Sequence, residues 1–262
     1  MFFSIIINTH NQHGTIERCL KSCIDQSFKK KYEIIIVDTS DNKISKKKLT
    51  SKKVRYYHFK NFSKYPEINQ IKKIYEGFIR TKGKWFCLID GDDFFKKNKL
   101  KNIFDNYNLD NKILIQDECL NYNEEEKTTS NYIHKKYKKF FLYKKIINFW
   151  PEIYGTSSLS GHSDILKSFF RKLNINKWNL LAVDALLILY ALHKMKLFTN
   201  KKVLTIKSID SHTIGSKYTP INKNFWIRRI QQISYWESLS NKKIFNMDKV
   251  FSKMINFFLI SN

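Results

Sequence analysis

Glycine and proline are scarce in this chain, with 7 glycines and 3 prolines among 262 residues. Early in the sequence only Gly14 is present, so the glycine-rich phosphate-binding loop that is typical of a nucleotidyltransferase is missing. No apolar run reaches the roughly 18 residues that a membrane-spanning helix needs. The longest candidate, Leu180–Leu192, is interrupted by Asp184. The run Phe2–Ile7 has no basic segment and no cleavage site, so we expect no signal peptide.

Cysteine is also rare, and the four cysteines are Cys19, Cys23, Cys87 and Cys119. Only the first two lie close together, and neither a second pair nor a nearby histidine completes a zinc site. We therefore interpret all four as reduced thiols of a cytosolic protein. The expected location is the cytoplasm, with peripheral contact to the inner face of a membrane as an alternative.

Acidic residues are few: 23 Asp and Glu stand against 48 Lys and Arg, which gives a net charge of +25. Such an excess is typical of proteins that bind nucleic acid, an anionic membrane surface or a phosphate-bearing substrate. The alternative is compositional, because an AT-rich genome favours Lys, Asn, Ile, Phe and Tyr over Gly and Pro. In a chain this basic, any cluster of acidic residues stands out.

The composition is nevertheless that of a folded protein, since 42% of the residues are apolar and 15% aromatic. The length suits one large domain, or one domain with an extension. The first 93 residues alternate short apolar strands with helical stripes, which predicts an α/β fold with a mostly parallel sheet and helices on both faces. The predicted strands are Phe2–Asn8, Glu33–Val37, Val54–Phe59 and Trp85–Ile89, and the predicted helices begin at Gly14 and Ile68.

Three of these strands end in polar residues, in the segments Asn8–Asn11, Asp38–Asp41 and Asp90–Asp93. In open parallel sheets, ligands bind beyond the carboxyl ends of the strands. We therefore expect the three polar segments to gather at one edge of the sheet and to form the functional site.

The second half of the sequence is less regular. It predicts strands at Ile113–Gln116 and Lys201–Ile209, a polar loop at Asn121–Asn131, a helix at Leu180–Lys194, and amphipathic helices at Phe225–Leu239 and Met247–Ile260. No repeat and no clear linker is present, so one compact unit is expected.

The segment Asp90–Asp93 places three carboxylates within four residues at the end of a strand. Three carboxylates cannot all be buried without a counter-ion. A hard divalent cation, bound through one or two carboxylates and substrate phosphates, meets that need, and Mg²⁺ and Mn²⁺ both suit oxygen ligands. The alternative is an acidic turn in which Gly91 is the turn residue.

Three segments together resemble family 2 glycosyltransferases. Ser4–Asn11 is similar to their first strand, Tyr32–Asp38 to their second strand, and Gly83–Asp93 to their Asp-X-Asp (DXD) segment. The resemblance covers roughly residues 1–100 and extends weakly to about Tyr218. It implies a GT-A fold, a Rossmann-like sheet flanked by helices, with a nucleotide-sugar half at about 1–110, an acceptor half at about 111–218, and a helical C-terminal extension at 219–262.

The resemblance implies roles for residues at the donor site. Asp38 would accept a hydrogen bond from the base of a nucleotide-sugar donor, and Thr9 and Asn11 would line the same pocket. Asn69 lies where the family often has a donor-contacting side chain, and Asp90 would lie near the ribose. The sequence departs from the family in that Asp38 is followed by Thr-Ser-Asp instead of the common Asp-Gly-Ser.

The resemblance also implies a metal site for Mg²⁺ or Mn²⁺. Asp92 would bind the metal that bridges the diphosphate, and Asp93 would support that site. Some relatives place a histidine after the last strand that reaches the phosphates or the metal, and His212 matches it. Lys72 and Lys73 could reach phosphate, but we interpret them as solvated lysines.

An inverting transfer needs a general base for the acceptor hydroxyl. The family supplies an Asp or Glu at the start of a helix, and Trp178–Leu187 resembles that segment, which implies Asp184 as the base. The alternative is that Asp184 caps the helix or lies at the edge of the core. Asp164 is a rival, but its surroundings predict the N-cap of another helix. The small polar loop Gly155–His162 matches the position where relatives line the acceptor pocket.

The stretch Lys135–Trp150 mixes lysines with aromatic residues. This composition suits an interfacial element on an anionic leaflet. It also suits a nucleic-acid groove with stacking rings, or simply a solvated basic face over a packed aromatic core.

The favoured hypothesis is a metal-dependent inverting glycosyltransferase. It would move a sugar from a nucleoside-diphosphate sugar, with a UDP-sugar favoured, to a hydroxyl of a glycan or lipid-linked acceptor in bacterial cell-surface polysaccharide synthesis. The alternatives are a basic nucleic-acid-binding protein and a nucleotidyltransferase that uses the same acidic cluster. Because no helix-turn-helix, zinc-finger or RNP signature is present, nucleic acid is not an expected partner.

Overall fold

A computed structural model describes residues 1–45, 47, 49, 51–131, 153–209, 221–241, 243 and 246–258. The basic-aromatic stretch Lys135–Trp150 and the predicted metal ligand His212 both lie outside the described residues. In the described part of the chain, no helix combines the length and the apolar character that crossing a bilayer requires.

The described residues form nine strands and seven α-helices. The strands are β1 Phe3–Thr9, β2 Tyr32–Asp38, β3 Val54–His58, β4 Trp85–Asp90, β5 Phe94–Phe95, β6 Leu114–Asn123, β7 Thr128–Asn131, β8 Leu159–His162 and β9 Leu197–Ile209. The helices are α1 Ile16–Ile24, α2 Pro66–Phe78, α3 Lys99–Asn106, α4 Ser163–Lys172, α5 Val183–His193, α6 Lys223–Ser240 and α7 Met247–Phe258.

One sheet contains all nine strands, in the order β3-β2-β1-β4-β8-β6-β9-β5, with β7 paired to β6. The first four strands in this order are parallel. Every residue of β1 and β2 is buried, because both faces of these central strands are covered. This confirms the predicted α/β fold with a mostly parallel sheet flanked by helices.

The second half of the sheet departs from the prediction. Strand β8 runs antiparallel between β4 and β6, and β6 is much longer than the predicted Ile113–Gln116. The predicted loop Asn121–Asn131 is wrong, because it contains the end of β6, a turn and strand β7, which pairs with β6. All four residues of β7 are polar and exposed, so no alternation of apolar and polar residues marks the strand.

Two apolar cores cover the two faces of the sheet. One lies under α1 and α3 and includes Ile5, Cys19 and Cys87. The other lies under α2, α4 and α5 and includes Ile6 and Leu186. All four cysteines are free and buried, which confirms that they are thiols in the core rather than disulfides.

Helix α5 begins later than predicted. The sequence predicts a helix at Leu180–Lys194, whereas α5 starts at Val183 after a short 3-10 turn at Ile175–Trp178. Eight of its residues are buried, and it is apolar on all sides because it lies between the sheet and α6. Asp184 is consequently in its first turn instead of in its interior.

An ion pair between Lys99 and Asp117 lies inside the protein. The two side chains are 0% and 1% exposed, and Lys99 Nζ lies 2.7 Å from Asp117 Oδ1. Lys99 also donates to the carbonyl of Ser157 at 3.0 Å and to Thr205 Oγ1 at 2.8 Å, and Thr205 Oγ1 donates to Asp117 Oδ2 at 2.6 Å. The pair therefore joins α3, β6, β9 and the 3-10 turn Thr156–Ser158.

Substitution Lys99→Met should lower the free energy of unfolding by about 3–5 kcal/mol, because it leaves the Asp117 carboxylate buried without its cation. The exposed pair Lys101–Asp105 on the same helix provides a matched control, and Lys101→Met should cost less than about 1 kcal/mol. Urea denaturation of both variants measures the difference. The double variant Lys99→Met/Asp117→Leu should be more stable than Lys99→Met alone, and equal stability would contradict this account.

Candidate active site

The acidic turn follows β4 and consists of Asp90, Gly91, Asp92 and Asp93. Its first carboxylate is oriented by amides: Asn8 and Gln70 donate to Asp90 Oδ1 at 2.7 and 3.0 Å. Burial raises the pKa of Asp90, and the hydrogen bond from Asn8 opposes that shift. The side chain of Asp90 remains partly exposed at the edge of the sheet.

Asp93 is the most deeply buried carboxylate of the acidic turn, at 2% exposure. Ser157 Oγ donates to its Oδ2 at 2.5 Å, and the backbone N–H of Ser208 donates to its Oδ1 at 2.9 Å. Burial, followed by the charge of Asp92, raises its pKa well above the usual range. Both oxygens of Asp93 thus tie the turn to neighbouring segments.

Asp92 lies between these two residues and is partly exposed. Burial, together with the charge of Asp90, raises the pKa of Asp92 to about 6. The charge of Lys207 and a hydrogen bond from Gln12 act in the opposite direction. Burial is thus the main cause of the raised pKa of Asp92.

Two lysines provide part of the compensating charge. Lys73 is 5% exposed, donates to the carbonyl of Thr9 at 3.0 Å, and has its pKa lowered to about 8 by burial. The interpretation of Lys73 as a solvated residue is therefore wrong, because its helix face packs on the end of β1. Lys207 of β9 lowers the pKa values of all three carboxylates of the acidic turn. A Cβ on Gly155, whose φ is +98°, would collide with Lys207 Nζ, so glycine at this position leaves room for the lysine.

Arg18 of α1 also contacts the acidic turn, through the backbone of Asp92. Its Nη2 donates to the carbonyl of Asp92 at 2.9 Å and to Ser208 Oγ at 2.8 Å. The guanidinium also pairs with Glu124 and lies over the rings of Phe94 and Tyr122, at 4.6 and 4.9 Å from their centroids. Sequence reasoning missed Arg18, since one cation among 48 gives no signal.

Asp38 ends β2 and is fully buried. Its Oδ1 accepts from the N–H and Oγ of Ser40 at 2.8 and 2.5 Å, and its Oδ2 accepts from the hydroxyl of Tyr56 at 2.7 Å. Asn11 has a φ of 53°, and its N–H donates to Ser40 Oγ at 2.7 Å. Asn11 and Asp38 are therefore brought together through Ser40.

Asn69 of α2 is engaged within the protein. It donates to Asn61 Oδ1 at 2.6 Å and to Thr39 Oγ1 at 3.3 Å, and it accepts from the N–H of Phe62 at 3.0 Å. These contacts attach the segment after β3 to the end of β2. The contact with Thr39 places Asn69 close to Asp38.

The segment Gly155–His162 is not a loop. It forms the 3-10 turn Thr156–Ser158 followed by β8, and all of its residues are buried. Ser157 Oγ accepts from the N–H of Asp90 at 2.9 Å in addition to its contact with Asp93. The small polar residues thus support the acidic turn from within the core.

Asp184 and Asp164 lie at the starts of two helices. Asp184 is partly exposed, and its Oδ1 accepts from the N–H of Ala185 at 2.7 Å. Asp164 is not the N-cap of α4 as the sequence predicts, because His162 occupies that position and accepts from the N–H of Asp164. The carboxylate of Asp164 instead pairs with Lys112 at 2.8 Å.

The structure therefore gathers Thr9, Asn11, Asp38, Asn69 and the acidic turn at the carboxyl ends of β1, β2 and β4. Strand pairing sets Thr9 beside Asp38 and Asn8 beside Asp90. Asp184 comes from a separate element. Within the described residues, no group of three or more His, Cys, Asp or Glu side chains forms a ready metal centre. The donor set at the turn nevertheless consists of carboxylate oxygens, which suit Mg²⁺ or Mn²⁺ when substrate oxygens complete the coordination.

Residues 4–170 match the sequence profile of Glycosyl transferase family 2, which is more than half of the chain. The protein therefore belongs to this family and is a glycosyltransferase. Among curated proteins, no sequence matches significantly.

Solved structures with the same architecture are GT-A glycosyltransferases, which confirms the predicted fold. S. aureus TarS 1–349 in complex with UDP-GlcNAc is 15% identical, with a TM-score of 0.62 over 99% of this chain and 72% of that one. Its complex with UDP gives 13% identity and a TM-score of 0.60, over 99% and 71%. The mannosyltransferase PcManGT from Pyrobaculum calidifontis, in complex with GDP-Man and Mn²⁺, is 11% identical, with a TM-score of 0.59 over 99% and 72%.

Gly91→Ala should damage the acidic turn. An added Cβ would lie 2.6 Å from Thr9 Oγ1 and 2.7 Å from Gln12 Oε1, so the turn must shift, at a cost of about 1–3 kcal/mol of folding free energy. Gly14→Ala is the matched control, because no atom lies within 4 Å of the Cβ that would be added there. Gly91→Ala should lower both the melting temperature and the rate of donor-sugar hydrolysis, whereas Gly14→Ala should change neither. Equal behaviour of the two variants would contradict the close packing of Thr9 and Gln12 on Gly91.

Proposed function

We propose that this glycosyltransferase moves a sugar from a nucleoside-diphosphate sugar to a hydroxyl of a glycan or lipid-linked acceptor, with inversion at the anomeric carbon and with a divalent metal. The acidic turn carries the proposal. It lies at the carboxyl end of β4, beside the Asp38 pocket, on the edge where open α/β sheets bind ligands. UDP-GlcNAc, UDP and GDP-Man in complexes of structural neighbours support a nucleotide-sugar donor.

The nucleobase would bind at Asp38, with Thr9 and Asn11 in the same pocket. A carboxylate offers about four lone-pair sites, and Asp38 uses three of them on Ser40 and Tyr56. Asp38 is fully buried, so the remaining site can accept an N–H from the base only when the segment that covers it moves aside. Because Ser40 and Tyr56 hold the carboxylate in one orientation, that acceptor is positioned before the donor arrives. Asp90, oriented by Asn8 and Gln70, would accept from the ribose.

Asp92 would be the metal ligand, and Asp93 would support it by fixing the turn through Ser157 and Ser208. A divalent metal, when bound, offsets the charge that develops on the leaving diphosphate. Mn²⁺ in the PcManGT complex is consistent with this assignment. Lys207 and Lys73 add positive charge on the same edge and would lower the energy of the departing diphosphate from the protein side.

Asp184 would take the proton from the acceptor hydroxyl as that oxygen attacks the sugar. Its place in the first turn of α5, partly exposed, fits a group that must meet a substrate. The acceptor and the pathway, for which we favour bacterial cell-surface polysaccharide synthesis, follow from the family resemblance. A nucleic-acid-binding role gives no reason for the acidic turn, and we do not favour it.

Donor binding should be metal-dependent and should require Asp92. A ligand at about 100 times its dissociation constant adds about 2.7 kcal/mol to the free energy of unfolding. We therefore expect UDP or GDP with Mn²⁺ to raise the melting temperature, and EDTA or Asp92→Asn to abolish the increase. Asp110→Asn is the control, because Asp110 is an exposed carboxylate that pairs with Lys84. An unchanged shift in Asp92→Asn would remove Asp92 from the donor site.

Asp184→Asn should lower the rate of transfer by about 100- to 10,000-fold, the usual contribution of a general base. The melting-temperature increase with nucleotide and Mn²⁺ should be retained, because the substitution does not touch the acidic turn. Asp164→Asn serves as the control and should transfer at the native rate. If Asp164→Asn loses transfer while Asp184→Asn keeps it, the rival carboxylate is the base.

A further inference from the structure

Helix α7 is amphipathic, but its polar side packs on the protein and its apolar side is exposed. The side facing α6 includes Asp248, at 4% exposure, and Ser252, at 0%. The opposite side carries five large apolar side chains at helical spacing, each between 40% and 66% exposed. We call them the α7 ridge: Val250, Phe251, Met254, Phe257 and Phe258.

Two ion pairs between α6 and α7 fix this orientation. Arg229 is bidentate to Asp248, with Nε 2.9 Å from Oδ1 and Nη2 2.5 Å from Oδ2. Lys249 pairs with Glu237. All four side chains are less than 20% exposed. A rotation of α7 that buried the ridge would break both pairs and leave unpaired charges in the interface. The outward direction of the ridge is therefore built into the α6–α7 contact.

The charges around the α7 ridge indicate what kind of surface it binds. Glu237 and Asp248 are the acidic residues between Lys223 and Phe258, and each is paired with a cation. Lys253 is exposed on α7, and Lys243 is exposed in the segment between α6 and α7. A second copy of the chain also carries a net charge of +25, which opposes self-association, whereas an anionic lipid surface attracts the same charge.

We propose that α7 docks the enzyme on an anionic lipid bilayer. The ridge enters the boundary between headgroups and acyl chains, and Lys243 and Lys253 face lipid phosphates. Helices that lie in the plane of a membrane interface have this composition, with aromatic and large apolar residues on one side and lysine beside them. The docking requires no nucleotide sugar, so it stands or falls separately from the proposed transfer reaction.

The test is sedimentation of the full chain with phosphatidylcholine vesicles, with and without phosphatidylglycerol. We expect binding to the anionic vesicles only, and weaker binding as salt is added. Phe257→Ser/Phe258→Ser should lower the partition coefficient at least about tenfold, because two exposed phenylalanines no longer leave water. Met195→Ser/Ile221→Ser is the matched control, since these residues are 91% and 89% exposed in turns outside α7. Thermal melting of both variants tests whether they are folded.

Three results would overturn the proposal: no sedimentation with either vesicle, equal binding to neutral and anionic vesicles, or equal binding by the two double variants. Analytical ultracentrifugation adds a further outcome. A dimer that Phe257→Ser/Phe258→Ser abolishes would assign the α7 ridge to a second copy of the chain. None of these results depends on donor binding at Asp92.

Discussion

The geometry of the acidic turn depends on an ion pair that lies behind it. Lys99 and Asp117 are removed from water, and such a pair contributes little net stability because desolvation offsets the attraction. Its effect is positional. Lys99 holds the carbonyl of Ser157, and the hydroxyl of Ser157 in turn accepts from the N–H of Asp90 and donates to Asp93. One buried cation therefore fixes the residue that orients both ends of the turn, and an apolar residue at position 99 could fill the space but could not hold that carbonyl.

The acidic turn accommodates three neighbouring carboxylates because each of them has a different environment. Asp93 accepts hydrogen bonds from Ser157 and Ser208, Asp90 is oriented by two amides, and Asp92 has its pKa raised by burial and by the charge of Asp90. Lys73 and Lys207 supply part of the balance from the core side. A divalent cation would supply further positive charge from the solvent side.

The parts of the site that could be predicted are those with a periodic or clustered signal. Uninterrupted isoleucine runs mark β1 and β2 as buried parallel strands, and parallel strands bring their polar ends to one edge, so the grouping of Thr9, Asp38 and Asp90 follows from the sequence. Lys73, Lys207 and Arg18 could not be predicted, because their roles depend on which of 48 cations faces inward. The loop predicted at Gly155–His162 is wrong for a related reason: small polar residues are typical of loops, and here backbone and side-chain hydrogen bonds satisfy them in the core.

The effect of each positive charge likewise depends on where the structure places it. Lys73 and Lys99 are withdrawn from water and compensate carboxylates, so they belong to the site even though they add to the same total as any surface lysine. Lys243 and Lys253 are exposed, so their charge acts on molecules that approach from the solvent. The net charge counts both pairs of lysines equally, and only their positions in the structure distinguish them. These four lysines therefore act in two ways: Lys73 and Lys99 compensate buried carboxylates, and Lys243 and Lys253 carry their charge on the surface.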